Sequence, residues 1–226
     1  MKAHETVMDW VTEGLRSGRL RIGDHLPGER ALAETLGVSR ASIREALRVL
    51  EALGTIRTGT GSGPTSGTVI TAAPEQALTL ALNLQLATSH VEHAHVYEAR
   101  LLLETWAAEH AEHASGDWPA VDRLLDLMDA PGLPVADFLR LDAEFHALLA
   151  RSAGNPLIST LMEALRASIA EHTLAGAESL PDWHRTAARL RGEHRAIAER
   201  LRSDDPSGAS ALLREHIEGY YRETAG

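Results

Sequence analysis

Apolar residues recur every three or four positions along most of the chain, a spacing that predicts helix for nearly its whole length. Ile43, Ala46, Leu47 and Leu50 show it most plainly, since i, i+3, i+4 and i+7 share one helix face and must turn to a core. Before Gly54 the pattern predicts three helices. The first covers His4 to Ser17, and the second follows Pro27 and Gly28 and ends at Gly37. The third runs from an N-capping Ser39 to about Leu53. Between the first two, Asp24 to Leu26 reads as a short strand-like piece. Two helices joined by a tight turn at Gly37 make a helix-turn-helix.

The period then changes. GTIRTG and GTVI are β-prone and flank a stretch in which Gly59, Gly61, Gly63, Pro64 and Gly67 rule out regular helix, so a hairpin with a long glycine-rich tip is predicted. Beyond Pro74 the helical period returns near 75–87, 90–114, 118–129, 134–153, 155–175, 181–203 and 205–222. The breaks GDWP, APGLP, AGNP, ESLP and SDDP each stop one helix and start another. Connections this short favour antiparallel neighbours. The fold class expected is mainly α: a winged helix-turn-helix with a small β-hairpin over residues 1–72, then an all-α antiparallel helix bundle over 73–226.

Length and composition fit that division, because 226 residues suffice for two domains that each bury a core. There are no cysteines, which excludes a disulfide framework, a thiolate metal site and a cysteine nucleophile. The opening MKAHETVMDWVTEGL mixes acids with its apolar residues and is not a secretory signal. The most apolar run, ALTLALNLQLA, is broken by Asn83 and Gln85, so no membrane span is expected and the cytoplasm is the expected location. Charge separates the halves. Up to Thr71 nine Lys and Arg face eight Asp and Glu; after it thirteen face twenty-four, and ten of the twelve histidines lie there.

An acidic chain that lines up Arg40, Arg44 and Arg48 one turn apart needs a reason. On a helix whose core face is already assigned, these three take an exposed neighbouring strip. One reading is a solvated face with pairs to Glu45 and Glu51. The other is nucleic-acid recognition: the second helix of a helix-turn-helix enters the major groove, where a guanidinium can bond guanine O6 and N7 together. Ser39 and Ser42 can donate to phosphates, and Ala41 is small enough to meet a thymine methyl. Turn, helix and glycine-rich hairpin occur in the order a winged helix requires, which favours the second reading.

Residues 14–70 resemble the winged-helix domain of GntR-type transcriptional regulators, through GLRSGRLRIGDHLPGERALAETLGVSRASIREALRVLEALGTI and the wing ending SGTVI. The resemblance implies double-stranded DNA as partner and Arg30, Arg40 and Arg44 as contacting arginines. It puts Ser39, Ala41 and Ser42 in the small positions beside them, and Gly61 or Gly63 at the minor groove. Ala41, where the family commonly has Thr or Pro, and the long wing bear on which operator is read. One helix-turn-helix alone is rarely tight enough, so a homodimer on an inverted repeat is expected.

In the second half, Asp142 and His146 stand four apart and so share a helix face. Such a pair either stabilises its helix or binds a divalent metal. His194 and His216 sit near apolar positions of two further helices that could face the same interior. Three imidazoles and a carboxylate suit zinc, nickel or manganese and leave coordination positions open. This half, from about Glu75 to Tyr221, resembles the FCD ligand-binding domain of the FadR subfamily, through YEARLLLE, LDAEFHALLARSAGNP, the EH at 193–194 and the terminal REHI. The resemblance implies that Asp142, His146, His194 and His216 hold the metal and that the effector is a small organic acid, typically of a repressor. Arg100, in YEAR, would anchor the effector carboxylate if it points inward, the alternative being a salt bridge to Glu98 or Glu104. His90, His93, His95, His110 and His113 read as surface; His172 could line a cavity. Trp106, Trp118 and Trp183 read as packing residues.

Two rivals accompany the regulator. A metallohydrolase would need a positioned base, and Glu193 beside His194 should point away, since successive helical residues diverge by about 100 degrees. A structural metal would staple the bundle without any effector response.

Overall fold

A computed structural model describes residues 3–59, 67–71, 73, 75–87, 93–178 and 180–224. The chain divides into two compact units, Met1–Leu78 and Thr79–Gly226. Gly61 and Gly63 of the wing tip and His90 lie outside the described residues.

In the first unit α1 (Ala3–Arg16), α2 (Glu29–Leu36) and α3 (Arg40–Ala52) precede a hairpin of β1 (Ile56–Gly59) and β2 (Gly67–Ile70). The strands pair antiparallel with Ile56 opposite Ile70 and Gly59 opposite Gly67. The 24–26 segment lies along β2: His25 bridges to Val69, and Leu26 N–H donates to the Thr68 carbonyl over 2.8 Å. Val7, Val11, Leu26, Leu32, Ile43, Ala46, Leu47, Leu50, Ile56 and Ile70 form one buried cluster, so the predicted core face of α3 is its real one. The turn between α2 and α3 depends on Gly37, whose φ of 65° is a left-handed conformation that costs other residues. Ser39 Oγ caps α3 by accepting from Ser42 N–H.

The second unit is built from α4 (Glu75–Ala87, which begins in the first), α5 (His93–Glu109), α6 (Trp118–Met128), α7 (Val135–Arg151), α8 (Pro156–Ala177), α9 (Trp183–Arg202) and α10 (Pro206–Thr224). Asp117, Asn155 and Asp182 cap α6, α8 and α9 with their side chains. α7 packs along α8, α10 packs on α5 and α9, and α6 leans on α7 and α9. Phe138, Phe145, Leu190, Ile197 and Leu213 lie in the larger of two buried clusters; Val96, Met162 and Ile169 lie in the smaller. Trp118 and Trp183 pack against the larger and Trp106 against the smaller, as expected of packing residues.

One helix is shorter than its periodicity predicts. The expected 90–114 element ends at Glu109 because the backbone finds another partner: Glu112 N–H donates to the Ser152 carbonyl, at the end of α7, over 2.9 Å. A single 3-10 turn follows at His113–Ser115. His110 and His113 are exposed and stack on Trp106 and Trp118.

Candidate metal centre and nucleic-acid interface

In the first unit, α3 presents Arg40 and Arg44 to solvent, with more than half of each side chain exposed. Their partner is neither Glu45 nor Glu51. Both reach Glu29 at the start of α2, Arg44 Nε at 2.9 Å and Arg40 Nη2 at 3.6 Å from the same Oε2. One carboxylate thus ties two guanidiniums across the turn. Glu51 instead serves the wing, accepting from Thr58 N–H at 2.8 Å. Arg30 is still more exposed and pairs loosely with Glu34 at 3.4 Å. Ala41 is exposed on the same first turn, and the hydroxyls of Ser39 and Ser42 lie 2.9 Å apart.

In the second unit, α7 supplies Asp142 and His146 from successive turns, α9 supplies His194 and α10 supplies His216. All four are at most 3% exposed, and one ligand atom from each lies within 4.8 Å of the others. Asp142 Oδ1 stands 2.9 Å from His194 Nε2, 3.6 Å from His146 Nε2 and 4.0 Å from His216 Nε2, and the last two nitrogens are 3.2 Å apart. Ligand edges around a zinc ion with bonds of about 2.0–2.1 Å are about 3.4 Å in a tetrahedron. The donor set therefore fits a divalent ion in size as well as in chemistry.

Two further carboxylates stand behind the imidazoles. His216 Nδ1 donates to Glu193 Oε2 over 2.7 Å, which assigns the tautomer with a lone pair on Nε2. His146 Nδ1 lies 2.6 Å from Glu104 Oε2, a charge contact without the direction of a good hydrogen bond. His194 is buried against Phe145, their ring centroids 4.8 Å apart, and neither ring nitrogen has a directed hydrogen bond among the described residues. Buried ring nitrogens left this way cost free energy unless a cation takes their lone pairs.

The electrostatics point the same way. Burial pushes the His216 pKa down to about 3, and the charges of His194 and His146 add to it against Glu193 and Asp142. Burial likewise lowers His194. Burial lowers His146, but Glu104 and Asp142 together outweigh it and raise the pKa. Asp142 is held well below the usual carboxylate range, its histidine partners overcoming its burial. Arg100 and His146 overcome burial at Glu104 and bring it to about 2.

Arg100 does point inward. It is 6% exposed, donates through Nε to Glu104 Oε1 over 2.6 Å, and brings Nη2 within 3.6 Å of Asp142 Oδ2. That Nη2 is buried with no hydrogen-bond partner among the described residues. The salt bridge to Glu104 is present, and Arg100 also meets the inward-pointing condition set for an effector anchor. Glu193 stands behind the His216 ring, its other oxygen taken by Arg189 at 2.6 Å, so it does not face the ligand atoms. The parts missed from the sequence are the backing roles of Glu104 and Glu193 and the tether at Glu29. The available signal for Glu104 was a lone acid in the apolar run LLLETW, one turn after Arg100.

Known proteins converge on these two units. The pattern of the family described as bacterial regulatory proteins, gntR family, matches residues 3–65, and that of the FCD domain matches 95–219. The chain belongs to the GntR family and carries an FCD domain. It is 27% identical to the HTH-type transcriptional repressor NanR of Cronobacter sakazakii, over 97% of this chain and 84% of that one. It is 28% identical to the protein of the same name from Salmonella typhimurium, over 96% and 82%. Among solved structures, Streptococcus agalactiae GntR superposes with a TM-score of 0.66 at 25% identity, covering 98% of this chain and 100% of that one. Proteins of the GntR family are transcriptional regulators and not enzymes, and the hydrolase alternative falls with that. No helix among the described residues is long and apolar enough to cross a membrane.

Proposed function

We propose that this GntR regulator is a homodimeric repressor whose hold on an inverted-repeat operator is governed by a small carboxylate effector at a metal site. Residues 1–72 bind DNA, through Arg30, Arg40 and Arg44 with Ser39, Ala41 and Ser42 beside them and Gly61 and Gly63 at the wing. Residues 73–226 sense the effector. Asp142, His146, His194 and His216 hold the ion, zinc by preference and nickel or manganese as alternatives, and the FadR-type arrangement follows. The likeness to proteins named repressors supports the sign of regulation.

The observation that carries the sensor is the facing pair of imidazole nitrogens, 3.2 Å apart in a buried centre, with carboxylates behind both rings. With the ring protons on the Nδ1 atoms that face Glu104 and Glu193, both Nε2 atoms would be left to ligate a cation between them. When bound, the ion supplies positive charge and open positions for a carboxylate. This chain's residues do the rest: Asp142 and Glu104 balance charge, Arg100 offers its free Nη2 to the second carboxylate oxygen, and the aromatic shell excludes water. Counting Asp142 and Glu104 as negative, Arg100 as positive and the histidines as neutral, a divalent ion leaves one net positive charge for the anion to neutralise.

Across a dimer, effector binding changes the spacing of the two reading helices while the duplex holds half-site spacing fixed. Coupling of about 1–3 kcal/mol alters affinity roughly 5–150-fold. The test is fluorescence anisotropy on a duplex that the protein itself selects from random sequence, with zinc-loaded and chelated protein and a panel of organic acids. Release by an acid only when zinc is present supports the reading; zinc binding with no acid-dependent release replaces it with a structural metal.

A further inference from the structure

Beside the metal centre, a cavity of about 180 Å³ opens between α5, α8 and α10, walled chiefly by Val96, Tyr97, Ile169, Ile217 and Tyr221. Arg100, Thr173 and Tyr220 line both this cavity and a gap of about 10 Å³ that touches Asp142 and His216. The small gap has room for about one water. The larger space exceeds the roughly 150 Å³ apolar cavity known to accept benzene. Two of its three tyrosine rings, Tyr97 and Tyr221, stack with centroids 4.1 Å apart.

Four polar side chains on its wall, Thr173, Thr224, Tyr220 and His172, are already engaged by backbone carbonyls, which leaves Arg100 and the hydroxyls of Tyr97 and Tyr221 as its other polar groups. Thr173 Oγ1 donates to the Ile169 carbonyl over 2.9 Å, and Thr224 Oγ1 to the Tyr220 carbonyl over 3.0 Å. Tyr220 donates its hydroxyl to the Thr173 carbonyl over 2.6 Å, and His172 Nδ1 sits 2.7 Å from the Ser168 carbonyl. A ligand hydroxyl buried among those four gives up water and meets donors already in use, which is a penalty and not a gain. At the end where the two spaces meet stands Arg100, whose Nη2 is buried with no hydrogen-bond partner among the described residues.

We infer that the effector is a monocarboxylate with an apolar body, a six-carbon chain or a single aryl ring, and not a polyhydroxy acid. Its carboxylate pairs with Arg100 at the metal end, and its body fills the space between Ile169, Ile217 and the tyrosine pair. This rests on the proposed metal-dependent response to organic acids and narrows its ligand class.

Calorimetric titration of the full-length zinc-loaded protein tests it, with acetate, butyrate, hexanoate, phenylacetate, glycolate and gluconate as probes. Each methylene buried from butyrate to hexanoate should tighten binding about fourfold. Phenylacetate should match hexanoate, and gluconate should bind no better than acetate. Thr224→Leu, whose own hydroxyl bonds only within its helix, and Val96→Phe should fill the space. Both should cost hexanoate and phenylacetate at least tenfold and leave acetate within about twofold. Gluconate or glycolate binding more tightly than hexanoate overturns the inference and leaves metal-dependent acid sensing intact. Binding of none of the acids to zinc-loaded protein overturns both readings. Should either variant fail to fold, the wild-type series alone decides.

Discussion

Glu104 and Glu193 are the residues on which the proposed centre turns, although neither supplies a ligand atom. A carboxylate on the far ring nitrogen fixes an imidazole's tautomer and makes its other nitrogen a better donor. Glu104→Gln and Glu193→Gln should each weaken zinc binding about 10–100-fold, read by competition against a chromophoric chelator. Glu104→Gln should be the more damaging, because it also strips the buried Arg100 of its 2.6 Å partner. Proton linkage adds a pH signature to the chelated protein. His216 is pushed from an ordinary 6.5 to about 3, so its stabilising contribution is whole above 6.5 and is lost as pH falls toward 3. His194, also lowered, acts in the same direction; His146, raised, acts oppositely and contributes below 6.5. Below 6.5 the His146 contribution is already whole while those of His216 and His194 are being lost, so the chelated protein should lose melting temperature from pH 6.5 to 5, and His216→Gln should flatten that slope.

At the scale of single elements, the first unit hangs on a few backbone positions. The Ser39 cap satisfies the Ser42 amide at the very turn that carries Arg40 and Arg44, the arginines proposed to contact DNA. Ser39→Ala should cost about 1 kcal/mol of local stability. Hydrogen exchange should report it as roughly fivefold faster exchange in the first turn of α3, with α9 and α10 unchanged. Elements of this kind were legible before any coordinates, because a cap, a left-handed glycine and an apolar stripe act locally. Legibility failed where a distant partner decided the outcome. The helix expected to reach residue 114 stops at Glu109 because Ser152, forty residues on in the chain, offers a carbonyl to Glu112. Glu193 was rightly expected to miss the ligand atoms, yet its grip on His216 depends on α10 packing against α9, which helical spacing cannot foretell. The four residues proposed as ligands were nameable from family likeness; their convergence needed three helices to meet.

For the molecule as a whole, charge sets the terms of DNA binding. The chain carries a net charge of −10, made of +1 up to Thr71 and −11 after it, so bulk attraction to phosphate is weak and the proposed binding falls to a few placed arginines. Two of these are held by Glu29, whose carboxylate contacts both Arg44 and Arg40. Such a tether has two effects of opposite sign. It lowers the positive potential seen by any duplex, and it restricts the orientations the two guanidiniums can take. Glu29→Gln should therefore strengthen binding to random duplex while narrowing the ratio between operator and random sequence. Arg44→Ala separates the roles further. If Arg44 reads a base, the loss should be about 1–3 kcal/mol on operator and little on random duplex. If it only neutralises a phosphate, both affinities should fall alike, and the slope of log affinity against log salt should shrink by about one. Anisotropy titrations of the two variants against both duplexes, over a salt series, distinguish these outcomes. Equal losses on the two duplexes in Arg44→Ala would remove that side chain from sequence recognition and leave Arg30 and Arg40 to carry it.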